Sequence, residues 1–340
     1  MVNLSVSQEI KDIGETIDFT VAIPTYNGAE RIPQVLDRLL AQTGIEHLRW
    51  EVIVIDNNSS DRTPEVVKDY QTKFTQCELK YCLEKQQGLT FARIRAINEA
   101  KGKFIAFLDD DNLAETDWIL QSYNFGEKYP LAGAWSGQIH GDFEVKPPDN
   151  FSQIQPFLAI REHGQKAYIF DADNLKLPPG AGLVIRKQAW LESVPQQLVF
   201  KGRIGNLMVA GEDTEVLLHI YKSGWEIWYN PKMEIYHKIP HWRLERNYLL
   251  KIARGCGLCI FQLRLINAKR WQLPIILLKT VLGNMRRIFH HIIKYRNSLN
   301  NDIIALVEVN FYLGSLMSPF YSLLFYFHNL TNKDMKINHE

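Results

Sequence analysis

Short apolar runs alternate with amphipathic stretches through the first 240 residues. Four runs have the length and apolar content of buried strands: FTVAIPTY (19–26), EVIVID (51–56), LKYCLEK (79–85) and KFIAFLD (103–109). The stretches between them predict helices over AERIPQVLDRLLAQ (29–42), EVVKDYQTKF (65–74) and LTFARIRAINEAKG (89–102). This alternation predicts an α/β fold with a mostly parallel sheet and helices on both faces.

The pattern changes near residue 240, and we predict three parts: a polar tail over 1–17, a catalytic domain over 18–240 and a helical region over 241–340. Within the last part, the stretch 309–327 has no charged residue and seven aromatic ones, while 285–296 sets basic residues around an apolar stripe. A membrane span, a helix lying on anionic lipid, a helix packed on the catalytic domain and a dimer interface all fit this pattern. We expect association with a membrane surface.

Composition limits the function classes. The net charge of +1 over 340 residues gives no basic excess of the kind that binds nucleic acid. Four cysteines do not make a disulfide framework, so we expect a cytoplasmic protein. The first residues, MVNLSVSQEIKDIGETID, lack the basic and apolar regions of a signal peptide.

Polar clusters follow three of the predicted strands: PTYNGAE (24–30), DNNSSD (56–61) and DDDN (109–112). In open α/β sheets, ligands bind beyond the carboxyl ends of the strands. We therefore expect these three clusters to meet at one ligand site.

Three adjacent carboxylates, Asp109, Asp110 and Asp111, end the fourth strand. Like charges so close raise the cost of ionising each other, so a positive partner is expected. The partner is either the N-terminus of the following helix or a divalent cation, which prefers oxygen ligands and often carries a substrate phosphate. One aspartate would be enough for capping, and the crowding favours the cation.

Later motifs add further candidates. Gly180 and Gly182 precede an apolar strand, where glycines let backbone approach a ligand closely, although an ordinary turn has the same pattern. Glu212 and Asp213 begin an amphipathic helix, either as favourable charges at its N-terminus or as a general base. His237 becomes a metal-ligand candidate if a cation lies nearby.

Taken in order along residues 18–240, these motifs resemble the family 2 glycosyltransferases of the GT-A fold. The ordered combination carries the resemblance: PTYN, an acidic second strand end, DDD, a glycine loop, GED and a late histidine. Each motif in the combination is short, and any one of them alone would be weak evidence for the family.

The resemblance implies roles for individual residues. Nucleotide binding falls to residues of the first strands, the third helix and the triplet: Pro24, Tyr26, Asp56, Arg93, Asp109 and Asp110. The resemblance assigns Asp111 and His237 to a Mn²⁺ or Mg²⁺ ion that carries the diphosphate, and Gly180 and Gly182 to the acceptor-side loop. It assigns Asp213, beside Glu212, to proton removal from the acceptor hydroxyl in a single displacement that inverts the anomeric carbon.

A narrower similarity, in the segment from GED to HWRLE, is to the cyanobacterial hormogonium polysaccharide glycosyltransferases, which implies assembly of an exported polysaccharide at the cytoplasmic face of the membrane. The expected partners are a nucleotide-diphosphate sugar and a glycan or lipid-linked acceptor. Processive members carry QxxRW after the base motif. This chain has NAKRW (267–271), and we expect no processive polymerisation.

Other functions remain open from the sequence alone. A nucleotidylyltransferase can use the same sheet, but it needs a glycine-rich, lysine-containing loop after the first strand, and PTYNGAERI has one glycine and no lysine. A membrane-bound sugar-nucleotide sensor or scaffold would tolerate loss of the base motif, which is intact here. A glycosyltransferase for protein or lipid outside polysaccharide assembly is a further alternative.

Overall fold

The computed structural model describes residues 17–200, 202, 208–299 and 301–337, with side chains to residue 324 apart from Asn297. All of the predicted polar tail except Ile17 lies outside these ranges. The strands in the described part are β1 Phe19–Thr25, β2 Trp50–Asp56, β3 Glu78–Leu83, β4 Phe104–Phe107, β5 Asn112–Ala114, β6 Ala132–Phe143, β7 Tyr168–Ile169, β8 Leu183–Arg186 and β9 Glu226–Ile239. The α-helices are α1 Ile32–Leu40, α2 Thr63–Gln71, α3 Leu89–Glu99, α4 Trp118–Lys128, α5 Lys187–Ser193, α6 Glu212–Lys222, α7 Arg246–Leu258, α8 Ile260–Ile266, α9 Leu273–Tyr295 and α10 Ile303–Ile337.

The strands form one mixed sheet in the order β3-β2-β1-β4-β8-β6-β9-β5, with β7 paired to β9. Strands β1 to β4 pair in parallel, as the sequence pattern predicts. From β4 onward the sheet also contains antiparallel pairs, because β8 runs opposite to both β4 and β6. The predicted α/β class with a helical C-terminal region is confirmed.

Alternate side chains of the central strands enter two separate cores. Val21 and Ile23 of β1 pack with helices α1, α2 and α4, whereas Ala22 packs with α3, α5 and α6 on the opposite face. The same division separates Val52 and Val54 from their neighbours in β2. Strands covered on both faces must be apolar throughout, which explains the continuous runs in the sequence.

All three predicted helices have different boundaries in the structure, and α2 ends at Gln71, three residues before the predicted Phe74. Helix α1 begins at Ile32, since the Gly28 carbonyl accepts hydrogen bonds from the Arg31 and Ile32 amides in a turn before the helix. Helix α3 ends at Glu99, short of Gly102. A Cβ at Gly102 would lie 2.6 Å from the Thr20 backbone nitrogen, so this glycine permits a close approach to β1.

The C-terminal helices pack beside the sheet on a third core. This core joins α7 and the start of α10 to the segment 151–160 and to the end of β9. Helix α7 also crosses α10 at very short range, because a Cβ at Gly257 would overlap the backbone of Phe311 and Ser315. Helix α7 therefore connects the catalytic part of the chain with α10.

Candidate active site

A cleft of about 690 Å³ opens at the carboxyl ends of β1 and β4. The acidic triplet, the start of α6 and His237 all line it. Most of the site residues predicted from the sequence thus meet at one place, beyond the strand ends. The lining predicted residues are Pro24, Tyr26, Arg93, Asp109, Asp110, Asp111, Gly180, Glu212, Asp213 and His237.

Asp111 and His237 are brought together by the antiparallel pairing of β5 with β9, in which Asn112 faces His237. Asp111 Oδ2 and His237 Nε2 lie 3.5 Å apart, and both side chains are buried. His237 Nδ1 lies 2.9 Å from the Leu158 carbonyl, which can only accept, so Nδ1 carries the proton. The Nε2 lone pair is then directed toward the space beside Asp111.

The guanidinium of Arg243 lies in that space. Its Nη2 donates to Asp111 Oδ2 at 2.8 Å, and its Nη1 donates to His237 Nε2, also at 2.8 Å. Burial disfavours the charged form of Asp111, but the Arg243 guanidinium donates to it and stabilises that form, which holds the pKa of this carboxyl below its usual range. A carboxylate oxygen and an imidazole lone pair therefore converge on one positively charged group.

Asp110 is held by a different cation. The Arg31 guanidinium donates to both carboxylate oxygens, through Nε at 3.0 Å and Nη2 at 2.8 Å. Thr25 Oγ1 also donates to Asp110 Oδ2 at 2.6 Å. The hydrogen bond to Asp110 raises the pKa of Arg31, which therefore stays cationic. These bonds tie the end of β1 to the acidic triplet.

Arg93 connects the remaining triplet residue with the start of α6. It projects from α3 with 6% of its side chain exposed, forms an ion pair with Asp213, and has Nη2 3.8 Å from Asp109 Oδ1. The Asp109 side chain remains 34% exposed to the cleft. Burial by the surrounding protein, and then the neighbouring Asp111, raise the pKa of Asp109, which Arg93 partly offsets.

The glycine loop meets Asp213 directly. The Gly180 amide donates to Asp213 Oδ2 at 2.9 Å, and a Cβ at Gly180 would overlap Arg93 and the Asp213 carboxylate. Gly182 has a different environment: it does not belong to the cleft lining, its φ is +65°, and a Cβ there would meet Ile235. Of the two glycines, Gly180 is therefore the one whose backbone lines the site.

Asp56 also lies outside the cleft lining, although the sequence predicts it at the nucleotide site. Its side chain is buried, and its two oxygens accept from Tyr81 Oη and the Ser59 amide, each at 2.8 Å. The next residue, Asn57, does line the cleft and bonds to the loop before α3, where the Gly88 amide donates to its Oδ1. Tyr26 also lines the cleft and is 49% exposed.

Glu212 lies beside Asp213 in the first turn of α6, buried, with its Oε2 accepting from the Gly211 amide. Glu215, one turn further, accepts from the Val199 and Phe200 amides and so holds this segment on the start of α6.

Sequence reasoning missed several residues of the cleft. Arg31 follows PTYNGAE directly, and Arg243 lies in HWRLE, yet neither has a local pattern that marks it as a site residue. Trp242 was also missed, whereas Thr25 and Asn57 belong to the predicted clusters PTYNGAE and DNNSSD without having been assigned a role of their own. In the described residues, no group of three or more His, Cys, Asp or Glu side chains is arranged to hold a metal ion.

The mixed sheet and its helices define a fold of the GT-A type, with a cleft beyond the strand ends. Residues 20–187 match the domain described as glycosyl transferase family 2. The chain therefore contains a family 2 glycosyltransferase domain, and the enzyme class expected from the sequence is confirmed.

Two relatives and one solved structure illustrate the similarity. The chain is 26% identical over 237 residues to the glucosyl-dolichyl phosphate glucuronosyltransferase of Haloferax volcanii, covering 68% of this chain and 72% of the relative. It is 29% identical over 157 residues to the amylovoran biosynthesis glycosyltransferase AmsB of Erwinia amylovora, covering 45% of this chain and 51% of AmsB. The mannosyltransferase PcManGT of Pyrobaculum calidifontis, solved with GDP-Man and Mn²⁺, has a TM-score of 0.56 at 17% identity, over 88% of this chain and 86% of PcManGT.

Proposed function

We propose that the protein transfers a sugar, with inversion, from a nucleotide-diphosphate sugar to a hydroxyl of a glycan or lipid-linked acceptor in polysaccharide biosynthesis. The observation that carries the proposal is the convergence of the Asp111 carboxylate and the His237 Nε2 lone pair in a cleft that also holds Arg31, Arg93 and Asp213. Anionic diphosphate and an acceptor hydroxyl are the two groups that these residues suit chemically.

The donor set fits a divalent cation. A carboxylate oxygen and a neutral imidazole are ordinary ligands of Mn²⁺, and the bond from His237 Nδ1 to the Leu158 carbonyl orients the ring as in known metal sites. Asp111 and His237 would hold the ion, with diphosphate oxygens and water as further ligands. Such an ion supplies Lewis-acid stabilisation of charge on the departing diphosphate.

The other nucleotide contacts follow from the lining. Tyr26 would stack on the base, and Asp109 and Asp110 would face the ribose and phosphates. Arg93, and Arg31 at the cleft mouth, would offset phosphate charge. Asp56 would act behind the lining, by holding the β2 end and Tyr81 in place.

Asp213 is the proposed general base. The acceptor oxygen attacks the anomeric carbon, its proton passes to the Asp213 carboxylate, and the bond from that carbon to the diphosphate oxygen breaks. The Gly180 amide donates to the Asp213 carboxylate and Arg93 forms an ion pair with it, so both contacts would hold the carboxylate in place. Holding both reactants in line supplies much of the rate enhancement.

The names of the relatives support the acceptor class. One acts, by its name, on a glucosyl-dolichyl phosphate, and the other in amylovoran biosynthesis. A lipid-linked or polymeric acceptor places the reaction at the cytoplasmic face of the cell membrane in our proposal.

The test is calorimetric titration of UDP and of GDP, each with and without Mn²⁺, into the wild-type protein, Asp111→Asn and the exposed control Asp149→Asn. We expect one nucleotide to bind in a metal-dependent way to the wild type and the control, and to lose that dependence in Asp111→Asn. The preferred nucleotide would identify the donor base. Equal binding with and without Mn²⁺ would overturn the metal role, and no binding of either nucleotide would overturn the donor site.

A further inference from the structure

Helix α9 has the reverse of the polarity expected for a helix on the surface of a soluble protein. The buried residues of this 23-residue helix are Thr280 and Asn284, and both are polar. The exposed side chains include Leu282 at 55% and Phe289 at 66%. In water such a helix would be expected to bury its apolar residues and expose its polar ones.

Polar contacts join α9 to its neighbours. Asn284 Nδ2 donates to Ser315 Oγ of α10 at 2.9 Å, and both residues are buried. Arg264 Nη1 donates to Thr280 Oγ1 at 3.3 Å. Polar hydrogen bonds between helices, with apolar side chains outside, are the arrangement that lipid favours, because lipid offers no hydrogen bonds to polar groups.

The outward apolar residues of α9 recur at helical spacing and form one stripe along the whole helix. Its members are Ile275, Leu278, Leu282, Met285, Phe289 and Ile293, each at least 44% exposed. Helix α10 adds exposed residues of the same kind: Met317, Phe320, Leu323 and Leu324. An exposed apolar surface of this extent marks an interaction site rather than ordinary protein surface.

A cationic stripe runs beside the apolar one. Lys279, Arg286 and Lys294 follow one another at intervals of seven and eight residues, which places them along one side of α9. Trp271, 65% exposed, lies just before the helix, where an interfacial aromatic residue would be expected. Basic residues flanking an apolar stripe are complementary to the anionic headgroups and acyl chains of a bilayer.

The packing of α10 limits how the two helices can meet a membrane. Within α10, the segment Ile303–Leu324 is long and apolar enough to cross a bilayer, yet a large part of it is buried inside the protein. Its side facing α7 is closed by the contact between Gly257 and the Phe311 backbone. Protein therefore covers the side of α10 that faces α7, and lipid can reach α10 at its exposed residues, which include Phe320 and Leu324.

We propose that α9 and the adjoining exposed side of α10 are the docking surface for an anionic lipid bilayer, and that α9 lies in the plane of the interface. At 1.5 Å per residue α9 is about 34 Å long, so this surface would extend along the bilayer over that distance. The proposal does not depend on the sugar donor or on the chemistry of the cleft. It bears on the acceptor, because Tyr248 and Ile252 of α7 line the cleft and α7 packs on α10.

Vesicle flotation of the full chain tests the surface. The vesicles are pure phosphatidylcholine, or phosphatidylcholine with about 30% phosphatidylglycerol. The variants are Leu282→Glu with Phe289→Glu, and Lys279→Gln with Arg286→Gln. The matched control is Lys146→Gln with Lys166→Gln, two exposed lysines elsewhere on the surface. Circular dichroism and size-exclusion chromatography establish that each variant is folded.

We expect the wild type and the control to float with anionic vesicles. The variant with Lys279→Gln and Arg286→Gln should bind anionic vesicles roughly 30-fold more weakly than the wild type. The double glutamate variant should not float with either kind of vesicle. Failure of the wild type to float, combined with a dimer that the glutamate variant dissociates, would overturn the proposal in favour of a second copy. Flotation that neither double variant weakens would overturn this assignment of the surface.

Depth measurements test the orientation. Single cysteines replace Ile275, Leu282 and Phe289 in a chain without its native cysteines, and each carries a fluorophore quenched by nitroxide lipids of known depth. Similar depths for all three support a helix lying in the interface. A progressive increase of depth along α9 would show that the helix crosses the bilayer and would overturn the in-plane arrangement.

Discussion

Asp111 Oδ2 lies 3.5 Å from His237 Nε2, and the guanidinium of Arg243 donates a hydrogen bond to each of them. The two acceptors are the pair proposed to hold a divalent cation. In this structure the positive charge of Arg243 therefore pairs with the same two groups that the proposed cation would bind. A cation bound as proposed would compete with Arg243 for one position, and this competition can be measured.

We predict that Arg243→Gln raises the affinity for Mn²⁺ in the absence of nucleotide by about tenfold or more, since two charge-assisted hydrogen bonds no longer oppose binding. Electron paramagnetic resonance of free Mn²⁺ measures this without turnover. Arg246→Gln, an exposed arginine three residues further on, is the control and should leave the affinity unchanged. Unchanged or weaker binding by Arg243→Gln would mean that Arg243 does not cover a cation site.

Asp213→Asn should lower the rate of sugar transfer at least about 100-fold, because the amide cannot accept the acceptor proton. Nucleotide affinity should stay within about threefold, since Asp213 acts on the acceptor side. Transfer is followed by product formation and affinity by calorimetry, with the exposed Glu192→Gln as control. Full transfer activity in Asp213→Asn would exclude this residue as the base.

Gly180→Ala should impair transfer about tenfold or more while the fold is retained. The new methyl group overlaps Arg93 and the Asp213 carboxylate, and a small displacement of a catalytic group is costly. Steady-state kinetics and circular dichroism measure the two effects. Gly283→Ala, whose Cβ meets nothing closer than Arg287 Nη1 at 3.5 Å, should have wild-type kinetics. Equal activity of both variants would refute a close fit at Gly180.

Gly257→Val should lower the free energy of unfolding by about 1–3 kcal/mol, because the added atoms overlap the backbone of Phe311 and Ser315 and force α7 and α10 apart. Chemical denaturation followed by circular dichroism measures the change. Lys251→Val places the same side chain at an exposed position of α7 and should cost only a few tenths of a kcal/mol. Equal stability of the two variants would contradict the close crossing.

The sequence by itself determined the sheet and the place of the site. Strands covered on both faces need continuous apolar runs, as around Val21 and Val54, and this local pattern predicts β1 to β4 without any long-range information. Parallel strands end at one edge of the sheet, so the clusters at Tyr26 and Asp111 could be expected to meet there. The order of the motifs was sufficient to indicate the glycosyltransferase family.

Tertiary structure alone decided which partner each charged residue has. Pairing of β5 with β9 brings His237 beside Asp111, and the fold brings Arg243 between them and Arg93 onto Asp213, although nothing local in the chain joins these residues. Asp56 is turned behind the cleft by its bonds to Tyr81 and Ser59. Strand register and helix packing depend on contacts far apart in sequence, so no local period can reveal them.

Helix α9 illustrates the same division. Its composition alone predicts a basic, amphipathic helix that fits several environments. Which side of that helix faces the protein is set by the bond between Asn284 and Ser315, thirty-one residues away in the chain. Only that contact reveals that the polar side is buried and the apolar side exposed, because burial is a property of the packed structure and not of the residue types.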